Sequence, residues 1–302
     1  MKFNFSLFKN KASLRYFKQY DDCFLSWFVG FSEGDASFIL SKKRNFFMIN
    51  QKDPKVLFLI KEKLGFGRVK GPYTNKSDSN SYFRYIISDK ESCYFLSLLF
   101  KQNLVLNKTN KRFNLWESNL KDDNLLAIIE DNEYIKTNEL LEINKLLKTQ
   151  NSFKTLKTDE SFQDNSWLSG FIDAEGCFSI TSVKSKDRLA EKRFRVKFSL
   201  GQSEEKNVLL KIKEDLKVGY LESSIKNSTK DSSGHSIYVI SSLSSIKVII
   251  NYLNKYNLKS NKNISFVRWC KLIIRLTDGE SRQFGTRAYS RMERLAKEIN
   301  VF

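Results

Sequence analysis

The sequence predicts an α+β protein built as two tandem, pseudo-symmetric copies of one αββαββα unit, and three observations carry that reading. SWFVGFSEGDASF at 26–38 recurs as SWLSGFIDAEGCF at 166–178, with Ser, Trp, Gly and two Phe in register. Each copy runs into stretches where apolar and polar residues alternate, the period of a strand with one buried face. The remaining landmarks recur in the same order: Gln51 with Gln202, IKEKLGFGRV at 60–69 with IKEDLKVGYL at 212–221, and NLVLNK at 103–108 with NLKSNK at 257–262.

Composition narrows the chemistry. A chain of 302 residues with 41% hydrophobic residues and two prolines can bury two ordinary cores and is not a disordered or collagenous chain. The net charge of +18 favours a polyanionic partner, nucleic acid ahead of an anionic membrane surface. Four cysteines, at 23, 93, 177 and 270, lie far apart with no C-x-x-C pair, so neither a zinc knuckle nor a disulfide framework is indicated, and a reducing compartment is the default. One histidine, His235, sits in a polar run and reads as an exposed loop residue, which excludes multi-histidine metal sites and disfavours Ser-His-Asp hydrolysis. Carboxylates, lysines and bound metal must carry any chemistry. No apolar stretch is long enough for a membrane span, and no secretory signal is present.

The elements follow in order. Residues 1–22 read as a basic N-terminal arm, with an organellar targeting segment as the alternative. The first repeat spans 23–118 and the second 166–273. The opening helix of each places small residues at i, i+4 and i+8: Ser26, Gly30 and Gly34, then Ser166, Gly170 and Ala174. Such stripes let two helices approach closely. If the two pair side by side, their C-terminal ends bring Asp35 and Glu175 together beside carbonyls of negative partial charge, an arrangement that calls for a cation. All-oxygen ligands point to Mg2+ or a similar hard divalent ion.

After each acid come strands. Arg193, Arg195, Lys197 and Ser199 alternate with Phe194, Val196, Phe198 and Leu200, so one face is core and the other basic or polar. Ser37 and Ser41, Arg68 and Lys70, Arg84, and Ser179 with Thr181 hold comparable positions. The counterpart of the 193–199 row in the first repeat is read as Asn45, Phe46 and Met48. A longer loop, 182–192, separates the second repeat's first strand pair. Between the repeats, 119–165 reads as a linker with a helix at 125–148, and 274–302 as a basic tail that either clamps nucleic acid or packs as a helix.

FVGFSEGDA at 28–36 and LSGFIDAEG at 168–176 resemble the two signature motifs of the single-chain LAGLIDADG homing endonucleases. The resemblance extends over roughly 23–118 and 166–273. Ala36 departs from it, standing where the family usually has glycine. It implies two curved antiparallel sheets forming a DNA-binding saddle, with the motif helices at the central interface. It implies that Asp35 and Glu175 hold catalytic divalent metal, aided by the carbonyls of Gly34 and Ala174, while Glu33 and Asp173 are structural. Gln51 and Gln202 would position water, and Lys108 and Lys262 would supply charge, with Lys111 as the alternative to Lys108. The basic and polar strand residues named above, with Lys42, Lys43, Arg44, Lys184 and Tyr220, would contact double-stranded DNA.

The activity implied is metal-dependent hydrolysis of a long asymmetric DNA target, one strand per repeat, by a monomer encoded in an organellar intron, the expected organelle being the mitochondrion. Two other readings stay open: a maturase that binds group I intron RNA, alone or in combination, and a non-catalytic DNA-binding regulator on the same scaffold.

Overall fold

The structure is a computed structural model that describes residues 2–75, 78–120, 161–184, 192–224, 234–279 and 284–301. The expected helix at 125–148 and most of the 182–192 loop lie outside the described residues. The chain divides into two compact units, Met1–Leu25 with Asp35–Glu160 and Ser26–Gly34 with Ser161–Phe302, so the first motif helix belongs mostly with the second repeat.

In the first unit the elements run α1 (Ser6–Tyr16), α2 (Asp22–Asp35), β1 (Ala36–Ser41), β2 (Arg44–Gln51), α3 (Lys55–Leu64), β3 (Arg68–Asn75), β4 (Asp78–Ile87), α4 (Lys90–Phe100) and α5 (Asn107–Ser118). The strands form one antiparallel sheet in the order β1-β2-β4-β3. The second unit repeats the plan with α6 (Trp167–Glu175), β5 (Gly176–Lys184), β6 (Lys192–Ser203), α7 (Lys206–Leu216), β7 (Tyr220–Ser224), β8 (His235–Ile240), α8 (Leu243–Lys255) and α9 (Lys262–Thr277), in the sheet order β5-β6-β8-β7. A further helix, α10 (Arg287–Lys297), follows. The α+β repeat is as expected, and each copy closes on two helices after its second strand pair.

Matching residues do matching work in the two copies. Phe38 packs its ring against Phe47, Phe100, Phe113 and Trp116, and Phe178 packs against Phe198, Phe266 and Trp269. The buried Tyr85 hydroxyl donates to the Phe66 carbonyl and the buried Tyr238 hydroxyl to the Val218 carbonyl, both at 2.8 Å. The glycine that follows each carbonyl has positive φ, and a Cβ at Gly67 would lie 2.5 Å from the Tyr85 hydroxyl. That is why the GFGRV and KVGYL segments keep a glycine in common.

The ends of the chain are packed. In α1, Phe8 and Ala12 are buried, Phe8 meets Tyr20 with ring centroids 4.9 Å apart, and Tyr16 packs on Phe66 and Phe95. Asn4 and Asn103 exchange backbone and side-chain bonds at 2.8 and 2.9 Å. In the tail, Tyr289 and Met292 are buried, the Tyr289 ring stacks on Phe194 at 4.5 Å, and its hydroxyl pairs with Ser182 at 2.6 Å. Arg287, Arg291 and Arg294 stay exposed on α10. His235, expected in a loop, opens β8 half-buried, with Nδ1 3.1 Å from Ser203 Oγ, because the strand begins inside the polar run, where His235 and Ser236 pair with Ser203 and Gln202 of β6. All four cysteines are free, and no described helix is long and apolar enough to cross a membrane.

Within the second unit, residues 26–34 of α2 pack closely against α6. Ser26 and Ser166 pair their hydroxyls at 2.7 Å. A Cβ at Gly30 would lie 2.0 Å from the Trp167 carbonyl oxygen, and one at Gly170 1.9 Å from that of Trp27. A Cβ at Gly34 would meet that of Ala174 at 2.4 Å. Every member of the predicted stripe therefore faces its counterpart. Two hydrogen bonds cross this contact reciprocally: Trp27 Nε1 donates to Asp173 at 2.8 Å, and Trp167 Nε1 to Glu33 at 2.6 Å. Glu33 and Asp173 are 6% and 4% exposed, so both acids are structural anchors, answered by indole donors.

Two stability measurements follow. Alanine in a helix ordinarily gains about 1 kcal/mol over glycine, yet Gly30→Ala and Gly170→Ala should each lower the urea unfolding midpoint, since overpacking costs about 1–3 kcal/mol. Trp27→Phe removes a donor to a buried carboxylate and should cost at least about 1.5 kcal/mol in the same experiment.

Candidate active site

Each repeat ends its motif helix on a half-buried acid. Asp35 closes α2 and Glu175 closes α6, and at each the chain passes directly into the first strand of the sheet. In the first repeat, β2 places Phe47, Ile49 and Gln51 on one face, the first two buried, so the glutamine is the last inward residue of its strand. Its Nε2 donates to Asp35 Oδ2 at 2.6 Å. Gln202 shares the inward parity of Phe198 and Leu200 in β6, is half-buried, and pairs in register with Ser236.

The lysines stand at helix starts. Lys262 is the first residue of α9, and its Nζ donates to the Ala174 carbonyl at 3.0 Å. Lys108 is the second residue of α5 and half-buried, whereas Lys111 is exposed. The structure thus brings Gln51 to Asp35 and Lys262 to the carbonyl beside Glu175. In the second repeat, a Cβ at Gly176 would lie 2.6 Å from Ile172 Cγ2. Ala36 holds the same place in the first repeat, where the residue four positions earlier is Ser32, which lacks that methyl branch.

Asp173 does more than receive an indole. Its carboxylate accepts from Lys259 N at 2.6 Å, Ser260 N at 3.2 Å and Ser260 Oγ at 2.5 Å. Burial pushes this carboxyl above the usual carboxylate range, against the opposing effect of those hydrogen bonds. Lys259 also holds its Nζ 5.8 Å from the Trp27 ring. The sequence flags these roles only through the recurrence of Trp and acid in both motifs.

The outward faces of the two sheets differ. In the first, Ser37 opposes Met48, Ser41 opposes Arg44, and Lys70 opposes Arg84, all with outward parity, while Arg68 opposes Ile86. Arg84 is engaged: Nε donates to Asn50 at 2.9 Å and the guanidinium lies 5.4 and 5.8 Å from the Tyr73 and Tyr82 rings. Lys42 and Lys43 form the two-residue turn between β1 and β2, both at positive φ, 48° and 60°, the backbone of a type I′ hairpin. Asn45, expected on the outward row, is 6% exposed and turned inward: its amide donates to the Trp116 carbonyl at 2.6 Å and it accepts from Asn119 at 2.6 Å. It opposes Leu40 on the face that carries Phe38 and Phe47, and register decides its direction. Phe46 and Met48 do face outward, half-buried.

In the second sheet Ser179 opposes Lys197, Thr181 opposes Arg195 and Cys177 opposes Ser199 on the outward face, while Val196, Phe198 and Leu200 are buried beneath. Arg193, Arg195 and Lys184 are exposed, Tyr220 is exposed at the start of β7, and Lys197 lies 3.5 Å from Glu222. Arg193, Arg195 and Tyr220 also border a cavity of about 440 Å³ floored by Phe194, Val196 and Leu276.

Comparison with known proteins agrees with this fold. Residues 168–273 match the family model described as LAGLIDADG endonuclease. A probable intron-encoded endonuclease 4 of Neurospora crassa is 31% identical over 82% of this chain and 39% of its own length. An uncharacterized cox1 intron-2 37.2 kDa protein of Schizosaccharomyces pombe is 26% identical over 84% of this chain and 66% of its own, and the intron-encoded DNA endonuclease aI3 of Saccharomyces cerevisiae is 28% identical over 65% and 56%. The chain therefore spans between about two fifths and two thirds of the length of these curated relatives. In fold it is similar to the LAGLIDADG meganuclease I-AabMI bound to uncleaved DNA, with a TM-score of 0.67 at 21% identity over 91% of this chain and 99% of that one. It is likewise similar to I-SmaMI bound to its uncleaved DNA target with calcium ions, at 0.66 and 19% over 91% and 98%. Matched by the family model over nearly its whole length, the second repeat belongs to the LAGLIDADG endonuclease family, and the first repeats its motif at the head of the same αββαββα core.

Proposed function

We propose that the protein is a site-specific double-strand DNA endonuclease of the intron-encoded homing type, acting on a long asymmetric target with each repeat cutting one strand. The observation that carries this reading is the 2.6 Å bond from Gln51 to Asp35 at the end of a motif helix, the acid and glutamine being the pair that the sequence repeats at Glu175 and Gln202. The family, and the DNA and intron-encoded endonucleases among its relatives, support the substrate class.

The donor set fits a hard divalent cation such as Mg2+. Asp35, Glu175 and the carbonyls of Gly34 and Ala174 offer only oxygen, and the Ala174 carbonyl already accepts a positively charged group, the Lys262 ammonium. Among the described residues no cluster of three or more His, Cys, Asp or Glu gathers, so each carboxylate would hold an ion with carbonyls, water and phosphate. When bound, the ion would lower the pKa of its water and stabilise charge on the phosphate and the leaving 3′ oxygen. Gln51 and Gln202 would orient the attacking water by hydrogen bonds, and Lys262 with Lys108 would add positive charge beside the scissile phosphate.

Affinity would come from phosphate contacts by the basic surface and be strongly salt-dependent. The Ser37, Ser41, Arg68, Lys70 and Arg84 face and the Ser179, Thr181, Arg193, Arg195, Lys197 and Ser199 face would read bases, and their differing chemistry calls for an asymmetric site. The intron-encoded relatives support an organellar origin. The protein would act as a monomer, its two repeats supplying the pseudo-symmetry.

Selection of cut molecules from randomised duplex DNA in Mg2+ should yield one long asymmetric site, and Asp35→Asn and Glu175→Gln should each abolish double-strand cutting of it. Binding without cutting by the wild type would replace this reading with that of a DNA-binding regulator. A footprint comes from the thiols. Cys23 and Cys177 are both exposed, but only Cys177 lies on an outward sheet face, opposite Ser199. Target DNA should slow alkylation of Cys177 at least about tenfold and leave Cys23 unchanged; equal labelling would place the DNA elsewhere.

A further inference from the structure

The chain Asp173, Ser260, Lys262 connects a structural acid to a candidate active-site lysine. Asp173 accepts from Lys259 N, Ser260 N and Ser260 Oγ, at 2.6, 3.2 and 2.5 Å, and so fixes the segment that enters α9. Ser260 Oγ, whose proton is given to Asp173, accepts in turn from Lys262 N at 3.1 Å. Lys262 Nζ then returns to the motif helix, 3.0 Å from the carbonyl of Ala174, the residue after Asp173. The loop closes on itself: one buried carboxylate sets the backbone from which the lysine reaches back to the end of its own helix.

Each member is held. Asp173 is 4% exposed, and Trp27 Nε1 occupies the same oxygen that takes Lys259 N. The hydroxyl of Ser260 has a single proton and spends it on Asp173, which leaves its lone pairs for the Lys262 amide. The first repeat is built otherwise. Its NLVLNK segment carries Val105 and Leu106 where NLKSNK carries Lys259 and Ser260, and both are buried, 5% and 2% exposed. Leu106 has no side-chain hydroxyl, so a link of the Ser260 Oγ kind is not available at that position. The step from lysine to the following core phenylalanine also differs, Lys108 to Phe113 against Lys262 to Phe266.

We infer that Asp173 and Ser260 are positioning residues for Lys262, and that the hydroxyl link of this relay belongs to the second half-site, where Ser260 stands and the first repeat has Leu106, so that one strand cut depends on it and the other does not. The inference rests on the endonuclease reading above. Ser260→Ala removes the relay at a half-buried position without touching the Trp27 bond, and Ser260→Thr retains the hydroxyl.

The test uses the full chain, the selected duplex target with each strand labelled separately, Mg2+, and single-turnover conditions at saturating protein. Ser260→Ala should slow one strand's cut by about 10- to 100-fold, the cost of misplacing a catalytic group by an ångström or less, and leave the other within about twofold. The slowed strand should be the one whose cutting Glu175→Gln abolishes, and Ser260→Thr should restore it, with DNA affinity and unfolding midpoint near wild type. Equal slowing of both strands, no slowing, or slowing of the strand lost in Asp35→Asn would overturn the inference while leaving the endonuclease standing. If Glu175→Gln leaves both cuts intact, the assignment of the second half-site fails first and the relay with it.

Discussion

Two glycines set the distance on which this molecule depends. At Gly30 and Gly170 the helix backbones come so close that a single methyl group on either would lie about as far from the opposing carbonyl oxygen as a hydrogen-bonded proton does. Only at that separation can the Ser26 and Ser166 hydroxyls pair and each indole reach the acid on the other helix. The same closeness fixes where both helices end, and so where the chain leaves each acid to begin a sheet. This seam rests on backbone contact, which is harder to deform than a side-chain interface.

Much of this was legible because the sequence states it twice. Small residues at i, i+4 and i+8 have one physical use when they occur in two helices of one chain, and the structure pairs them position by position. Alternation gave the sheet faces: Val196, Phe198 and Leu200 are buried and Arg193 and Arg195 exposed, as period two requires. Gln51 could be tied to Asp35 only through the family pattern, since a lone glutamine at a strand end has no signature of its own, yet its inward parity makes the contact a consequence of register.

What the sequence concealed has physical reasons too. Asn45 looks like a reader of bases by polarity, but cross-strand pairing with Leu40 puts it on the core face, where Trp116 and Asn119 satisfy its amide. Polarity predicts exposure only when no partner is buried nearby, and the partners here lie more than seventy residues away in sequence. The extra helix of the first repeat was hidden because α4 is apolar nearly all round: Cys93 to Phe100 are all buried, so it shows no amphipathic stripe. The first twenty residues looked like a loose basic arm because charge dominates their composition, while Phe8 and Tyr16 do the anchoring; the tail takes the helical one of its two readings, held by Tyr289.

The reciprocal indole bonds have a consequence for assembly. Both motif helices carry the same tryptophan and an acid at the same later position, so each is complementary to a copy of itself as well as to its sister. An interface of that kind is isologous and does not discriminate between like and unlike partners. Selectivity for the mixed pair must then come from elsewhere, and the covalent connection between the repeats supplies it by holding the sister helix at a high effective concentration. With pairing guaranteed by linkage, the outward faces are released from matching each other, and the serine, arginine and aromatic rows of the two sheets can drift apart while the shared helix seam stays fixed.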